Sequence, residues 1–221
     1  MKGSDKLILA LDVDNSKKAK YFVNKLYPQV KVFKIGSQLF TACGPEIVKF
    51  VVNKKAEVFL DLKFFDIPNT VASVVRQAVR LKVMMLTLHI SGQEEMVRAA
   101  VSAAGEEAKR LKVKKPKIIG VTVLTSQNAG PKEILRLAKS GLEWGLDGVV
   151  CSARETKLLR QELGNKFIIV TPGIRPKLSG KDDQKRVATA KESLRAGSSF
   201  LVVGRPILEA KDPLQAAKEI F

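Results

Sequence analysis

The chain has 221 residues, 45% of them hydrophobic, with 39 Lys and Arg against 22 Asp and Glu, a formal net charge of +17 at pH 7 and a pI near 9.9. A chain this long and apolar buries a sizeable core without disulfide or metal staples, and no run in it approaches the length of a membrane span. Cys43 and Cys151 stand far apart, with no metal-ligand spacing and a single histidine elsewhere, which argues for reduced, structural thiols in a cytoplasmic protein.

Apolar, β-branched segments predict strands over residues 6–13, 30–36, 57–63, 83–90, 117–124, 147–151, 166–172 and 199–204. Helical patterns follow each in turn, over 16–27, 37–53, 69–82, 92–111, 131–144, 153–163, 182–196 and 206–220. No Gly/Ser linker or low-complexity tract interrupts them, so residues 1–221 are read as one domain. Strict β-then-α alternation, eight times over, closes naturally as a (β/α)8 TIM barrel, an α/β fold. A doubly wound open sheet would show the same alternation, but it needs an edge, and no segment carries the charges or prolines that blunt one.

In such a barrel the reactive groups stand at the C-terminal ends of the strands and in the loops that follow. Asp12 closes the first segment, Lys34 stands near the end of the second, and Asp61 and Lys63 end the third. His89 ends the fourth, Thr125 follows the fifth, Thr171-Pro172-Gly173 ends the seventh and Gly204-Arg205 the eighth. Alternation puts Ile8, Ala10 and Asp12 on one strand face, and Val30, Val32 and Lys34 likewise, so both charges point toward the barrel mouth. Singly, each is an ordinary strand-end residue; their coincidence at one rim predicts a site.

The stretch Asp61-Leu62-Lys63-Phe64-Phe65-Asp66-Ile67-Pro68-Asn69-Thr70 is the most specific of these signals. A period of two sets Asp61 and Lys63 on one face and Leu62 on the other. An isolated Asp-x-Lys would be a salt bridge at a strand end, with Asn69 or Thr70 capping the next helix. Here, four charges of alternating sign, Lys34, Asp61, Lys63 and Asp66, are costly to gather unless they neutralise one another. Two carboxylates flanking an ammonium hold Lys63 protonated as a proton donor and leave negative potential where a departing carboxylate would sit.

A second group of residues suits phosphate. Residues 202–206 read as a strand end, a glycine that allows close backbone approach, a guanidinium, and a proline opening a helix, where this barrel commonly binds phosphate. The basic, glycine-punctuated stretch from Pro172 to Gln184 predicts a mobile lid whose Arg175 and Gln184 reach the same phosphate. His89, close to Thr87 and Ser91, reads as a hydrogen-bonded strand-end residue outside the catalytic set. The excess lysines are scattered over most helices and seldom alternate with aromatics, a pattern that suits a solvated surface steering an anionic substrate, with no nucleic acid expected as partner.

Taken together, these residues make the chain resemble the orotidine 5'-monophosphate decarboxylase family in its compact bacterial form. The match runs end to end, through Leu9-Ala10-Leu11-Asp12, Phe33-Lys34-Ile35-Gly36, the ten residues from Asp61, and residues 120–126, 170–176, 183–186 and 203–206. The resemblance implies a homodimer of (β/α)8 barrels with shared active sites, needing neither metal nor organic cofactor, that converts orotidine 5'-monophosphate to UMP and CO2. By that resemblance Lys63 gives the proton to C6 of the pyrimidine, Asp61 lies beside the substrate carboxylate, and Asp66, Ile67 and Thr70 are presented to the neighbouring subunit's site. Asp12 and Lys34 bind the ribose hydroxyls and join the charge network, and Thr125 lies by the pyrimidine. Pro172 opens the substrate-binding loop, and Arg175, Gln184, Gly204 and Arg205 hold the phosphate side.

Two rival readings make different predictions. A sugar-phosphate decarboxylase or aldolase of the same barrel superfamily shares Asp-x-Lys-x-x-Asp, but uses Mg2+ held in part by an acidic residue at the end of the second strand. This chain has Lys34 in that region, a cation that repels the metal. A nucleic-acid binder, suggested by the +17 charge, predicts strongly salt-dependent affinity and no consumption of an orotate-type chromophore.

Overall fold

The computed structural model of the chain describes residues 3–124, 129–176 and 188–221. A 3-10 turn (Gly3–Lys6) leads into β1 (Leu7–Ala10), α1 (Ser16–Leu26), β2 (Val32–Gly36), α2 (Ser37–Cys43), α3 (Glu46–Asn53), β3 (Glu57–Phe64), α4 (Pro68–Arg80) and β4 (Met85–His89). The second half runs α5 (Gln93–Leu111), β5 (Lys117–Val121), α6 (Pro131–Glu143), β6 (Gly148–Val150), α7 (Ala153–Leu163), β7 (Ile168–Thr171), α8 (Ala190–Ala196), β8 (Phe200–Val203), α9 (Arg205–Leu208) and α10 (Pro213–Lys218). Each strand pairs in parallel with its neighbour in chain order, and β1 pairs with both β2 and β8, so the sheet closes on itself. Closure excludes the open sheet, and the fold is the expected (β/α)8 barrel.

Both strand faces of the closed sheet are buried. Leu7, Leu9, Phe33, Ile35, Val58, Leu60, Leu86 and Leu88 belong to the large core between strands and helices. Ile8, Val32, Phe59, Met85, Ile119, Val170 and Val202 form a second, smaller cluster inside the barrel. Burying one such side chain is worth roughly 1.5–3 kcal/mol, and a sheet with a solvated face would forfeit that at every second residue. The helices answer with matching stripes, as in α4, where Val71, Ala72, Val75, Ala78 and Val79 are buried at helical spacing.

Two expected helices are each divided. The stretch 37–53 breaks at Gly44-Pro45, where Gly44 takes φ +60 and Pro45 has no N–H to give the ladder. The stretch 206–220 stops at Leu208 and restarts at Pro213, with the Asp212 carboxylate accepting from the N–H groups of Leu214 and Gln215. The helix expected from Asp182 begins at Ala190, behind a capping box of Thr189 and Glu192; residues 182–187 lie outside the described residues. β1 ends at Ala10, short of the expected Val13, which leaves Asp12 in the loop beyond it.

Between α4 and α5, the buried Glu107 carboxylate accepts from Arg80 Nε at 2.7 Å and from Arg110 Nη2 at 2.6 Å. This latch ties together the helices that follow β3 and β4. Cys43 and Cys151 are free thiols, and burial pushes Cys151 up to about 12, in keeping with a structural role. Among the described residues, no helix is long and apolar enough to cross a membrane.

Candidate active site

The alternation that buries Ile8, Val32, Phe59 and Met85 inside the barrel presents Ala10, Lys34, Asp61 and Thr87 two residues further toward the mouth. There Lys34 Nζ lies 2.9 Å from Asp12 Oδ1 and 3.6 Å from Asp61 Oδ2, while Lys63 Nζ lies 3.0 Å from Asp61 Oδ1. Thr87 donates its hydroxyl to Asp61 Oδ1 at 3.0 Å and accepts the backbone N–H of Lys63 at 2.9 Å. Asp12, Lys34, Asp61 and Lys63 thus form a row of alternating sign across the ends of the first three strands.

The side chains of Lys34 and Asp61 are each 12% exposed, and that of Lys63 is 36% exposed. Burial alone would raise the pKa of Asp61. The Lys34 and Lys63 ammoniums, with hydrogen bonds from Lys63 and Thr87, outweigh it and hold the carboxyl below its ordinary 3.8. At an effective dielectric of about 20, one pair of unit charges about 4 Å apart interacts by roughly 4 kcal/mol, so two cations at this range suffice to keep Asp61 ionised. Burial, and then the Lys63 ammonium, push His89 below its ordinary 6.5 against an opposing pull from Asp61, so its imidazole is uncharged at neutral pH. Its ring meets Phe65 edge-on, with centroids 5.8 Å apart.

Lys63 does not reach Asp61 along a regular pleat. Leu60 pairs with Leu86 and Phe64 with Leu88, so Asp61, Leu62 and Lys63 stand opposite Thr87 alone. Lys63 takes φ +51, a left-handed conformation that costs a non-glycine residue roughly 1–2 kcal/mol. Leu62 still packs against the outer core, as the period of two predicts. Gly36 makes room on the other side, since a Cβ there would stand 3.0 Å from Lys34 Nζ and 3.8 Å from Asp12 Oδ1.

These charges line a cavity of about 530 Å³, the size of a small-molecule site. Phe59, Val121, Val150, Val170 and Val202 supply apolar wall, and the ends of β7 and β8 add Pro172, Gly173, Arg175, Gly204 and Arg205. One chamber therefore combines an acid–ammonium row, an apolar surface and two guanidiniums. An anionic group has cationic partners there, and a flat group has an apolar wall to lie against.

Residues 5–220 match the model of the orotidine 5'-phosphate decarboxylase / HUMPS family. The chain belongs to that family. The orotidine 5'-phosphate decarboxylase of Moorella thermoacetica is 45% identical over 232 residues, spanning 100% of this chain and 92% of its own length. That of Saccharophagus degradans is 44% identical over 225 residues, spanning 97% of this chain and 92% of its own. The crystal structure of orotidine 5'-phosphate decarboxylase from Lactobacillus acidophilus superposes with a TM-score of 0.86 at 35% identity, covering 98% of this chain and 97% of that one.

The residues expected from the family pattern fall into three groups. Asp12, Lys34, Asp61, Lys63, Pro172, Arg175, Gly204 and Arg205 all line the one cavity. Asp66, Ile67 and Thr70 are exposed. The Asp66 carboxylate accepts from the N–H of Ile67 at 2.7 Å, and among the described residues no ion pair joins it to Lys34 or Lys63. Within one protomer Asp66 therefore stands apart from the row of Asp12, Lys34, Asp61 and Lys63, in the short connection between the end of β3 at Phe64 and the start of α4 at Pro68. Ile67 is the N-cap of that helix, so the capping by Asn69 or Thr70 that an isolated Asp-x-Lys would suggest is not what the structure has.

Thr125 and Gln184, with most of the expected lid, lie outside the described residues. Among those described, no group of three or more His, Cys, Asp or Glu is placed to hold a metal ion. Reasoning from sequence missed Gln38 and Glu209, which line the cavity, and the contacts of Thr87. Gln38 stands in the first turn of α2, two residues past the end of β2, where the strand-end rule points; Thr87 is a lone hydroxyl in an apolar strand, which no such rule singles out.

Proposed function

We propose that this chain decarboxylates orotidine 5'-monophosphate to UMP and CO2, the last step of de novo pyrimidine nucleotide synthesis. The observation that carries the reading is the Lys63 ammonium held 3.0 Å from an ionised Asp61, in the cavity that Arg175 and Arg205 also line.

In this reading the two guanidiniums and the Gly204 backbone hold the phosphate, with Gln184 assisting. Asp12 and Lys34 bind the ribose hydroxyls, and the base lies on the apolar wall with Thr125 beside it. The substrate carboxylate then stands next to Asp61. Two like charges about 4 Å apart repel by roughly 4 kcal/mol at an effective dielectric near 20, and this repulsion disappears as neutral CO2 leaves. The C6–carboxylate bond breaks, its electron pair stays on C6, and Lys63 transfers one proton to that carbon before regaining one from solvent. Fixed charge stabilises the carbanion without reorganisation, and phosphate contacts remote from the breaking bond help lower the barrier by orienting the base.

The sites are shared in a homodimer: Asp66, Ile67 and Thr70 reach the partner's cavity. Phe65 at 62% exposed and Ile67 at 66% exposed are large apolar side chains left uncovered in one protomer, which supports this. Residues 1–221 act as one catalytic domain. The step uses neither metal nor organic cofactor, and the free thiols suit the reducing cytoplasm. Incubation of the purified chain with orotidine 5'-monophosphate, following its ultraviolet absorbance with and without EDTA, tests the reading. Stoichiometric UMP at a chelator-insensitive rate is expected; an unchanged spectrum, or turnover of a sugar phosphate that stops with EDTA, would overturn it.

A further inference from the structure

We infer that Thr87 is a positioning residue for the decarboxylation, one hydroxyl that sets both the direction of the Asp61 carboxylate and the backbone from which Lys63 projects. This rests on the activity proposed above. Thr87 is fully buried and is the single β4 residue between the paired Leu86 and Leu88, facing the three-residue excursion of β3 that contains both charged groups. Lys63 has no ladder partner in β4, and its N–H is taken up by Thr87 Oγ1 at 2.9 Å. That bond anchors a residue at φ +51, a conformation side chains other than glycine seldom adopt. The same oxygen sends its one proton to Asp61 Oδ1 at 3.0 Å.

Among the described residues, three contacts therefore determine how the Asp61 carboxylate is turned: Lys63 Nζ and Thr87 on Oδ1, and Lys34 on Oδ2. Two of these come from ammoniums on flexible stems. Only Thr87 is a short side chain fixed in the barrel wall. The charged and titratable groups around the carboxylate are Asp12 beyond β1, Lys34 on β2, Lys63 on β3 and His89 on β4. Of the donors in contact with the carboxylate among the described residues, Thr87 is the neutral one. Without the hydroxyl, Asp61 is free to swing between its two cations, and Lys63 loses the bond that holds its backbone in the bulge.

The hydroxyl is spent on Asp61 and Lys63, so its loss should act on kcat far more than on KM. Thr87→Val keeps the shape and removes both bonds; Thr87→Ser keeps the hydroxyl. The expected result for Thr87→Val is a kcat lower by roughly 10- to 100-fold, the scale of one charge-assisted hydrogen bond, with KM changed by no more than about 3-fold. Its acid limb should move to higher pH, because a donor to the ionised carboxylate has gone, and Thr87→Ser should restore most of the rate and the profile.

Wild-type kcat and pH profile in Thr87→Val, or a serine variant as impaired as the valine one, would overturn the inference. If Thr87→Val does not fold, Thr87→Ala against Thr87→Ser carries the same comparison. Titration of the Asp61 carboxyl by 13C NMR separates this inference from the activity. An upward shift in the valine variant supports the role of Thr87 even in a protein inert toward orotidine 5'-monophosphate, a result that would sink only the activity; no shift would sink the role of Thr87.

Discussion

Lys63 Nζ and Asp61 Oδ1 lie 3.0 Å apart across a bulge that forces Lys63 to φ +51. Removing the carboxylate by Asp61→Asn leaves the Lys34 and Lys63 ammoniums without the charge between them, and kcat should fall by on the order of 100-fold or more. The same substitution exposes a pH signature. Because the folded carboxyl titrates below its ordinary 3.8, its share of stability is complete above that value and is lost as pH falls through the lower folded one. Thermal melts of both proteins across the acid range should show the Tm of the wild type, relative to Asp61→Asn, dropping as pH is lowered.

Gly36 is required by its neighbour's ammonium. A Cβ at that position would meet Lys34 Nζ at 3.0 Å, the mobile end of a side chain, so Gly36→Ala should fold normally and yet displace Lys34 from Asp12 and Asp61. An activity loss on the order of 10-fold is expected from a misplacement of this size. Steady-state kinetics beside a circular-dichroism melt check it; unchanged kcat/KM would show that Lys34 does not need its present place.

Glu107 should behave in the opposite way. Hydrogen bonds from Arg110 and then Arg80 lower its carboxyl to about 2 from 4.5. The stabilisation it gives is thus full above 4.5 and is lost as pH falls toward about 2. At neutral pH, Glu107→Ala should lower Tm by several degrees, roughly 2–4 °C being typical per kcal/mol lost for a chain of this size, while kcat and KM stay at wild-type values.

Shared sites predict complementation. Lys63→Ala and Asp66→Ala should each be nearly inactive alone. Mixed, unfolded together and refolded, they should recover about a quarter of wild-type activity, since half of the dimers formed are mixed and each of those holds one intact site. Recovery near zero in a sample shown by light scattering to be dimeric would mean that Asp66 serves its own chain's site.

Much of this was legible in the sequence because it depends on short-range periods. Apolar β-branched runs between amphipathic helices predicted the barrel, and strand alternation carried Lys34 and Asp61 to its mouth. What was not legible depends on partners distant in the chain. The bulge at Lys63 exists only against the spacing of Leu86 and Leu88 in the next strand, and Thr87 between them reads as core until its two bonds are seen. The split of the helix expected over 37–53 was legible in Gly44-Pro45, but its apolar spacing overrode that signal. Asp66 sits two residues beyond the end of β3, where the strand period no longer says which way a side chain points.

The measurement that bears most directly on proton donation by Lys63 is turnover of orotidine 5'-monophosphate by Lys63→Ala, with circular dichroism and light scattering used to establish a folded dimer. Loss of at least about 1000-fold in kcat, combining a missing general acid with a missing stabilising charge, is the predicted result. Turnover near that of the wild type in the folded variant would contradict the account.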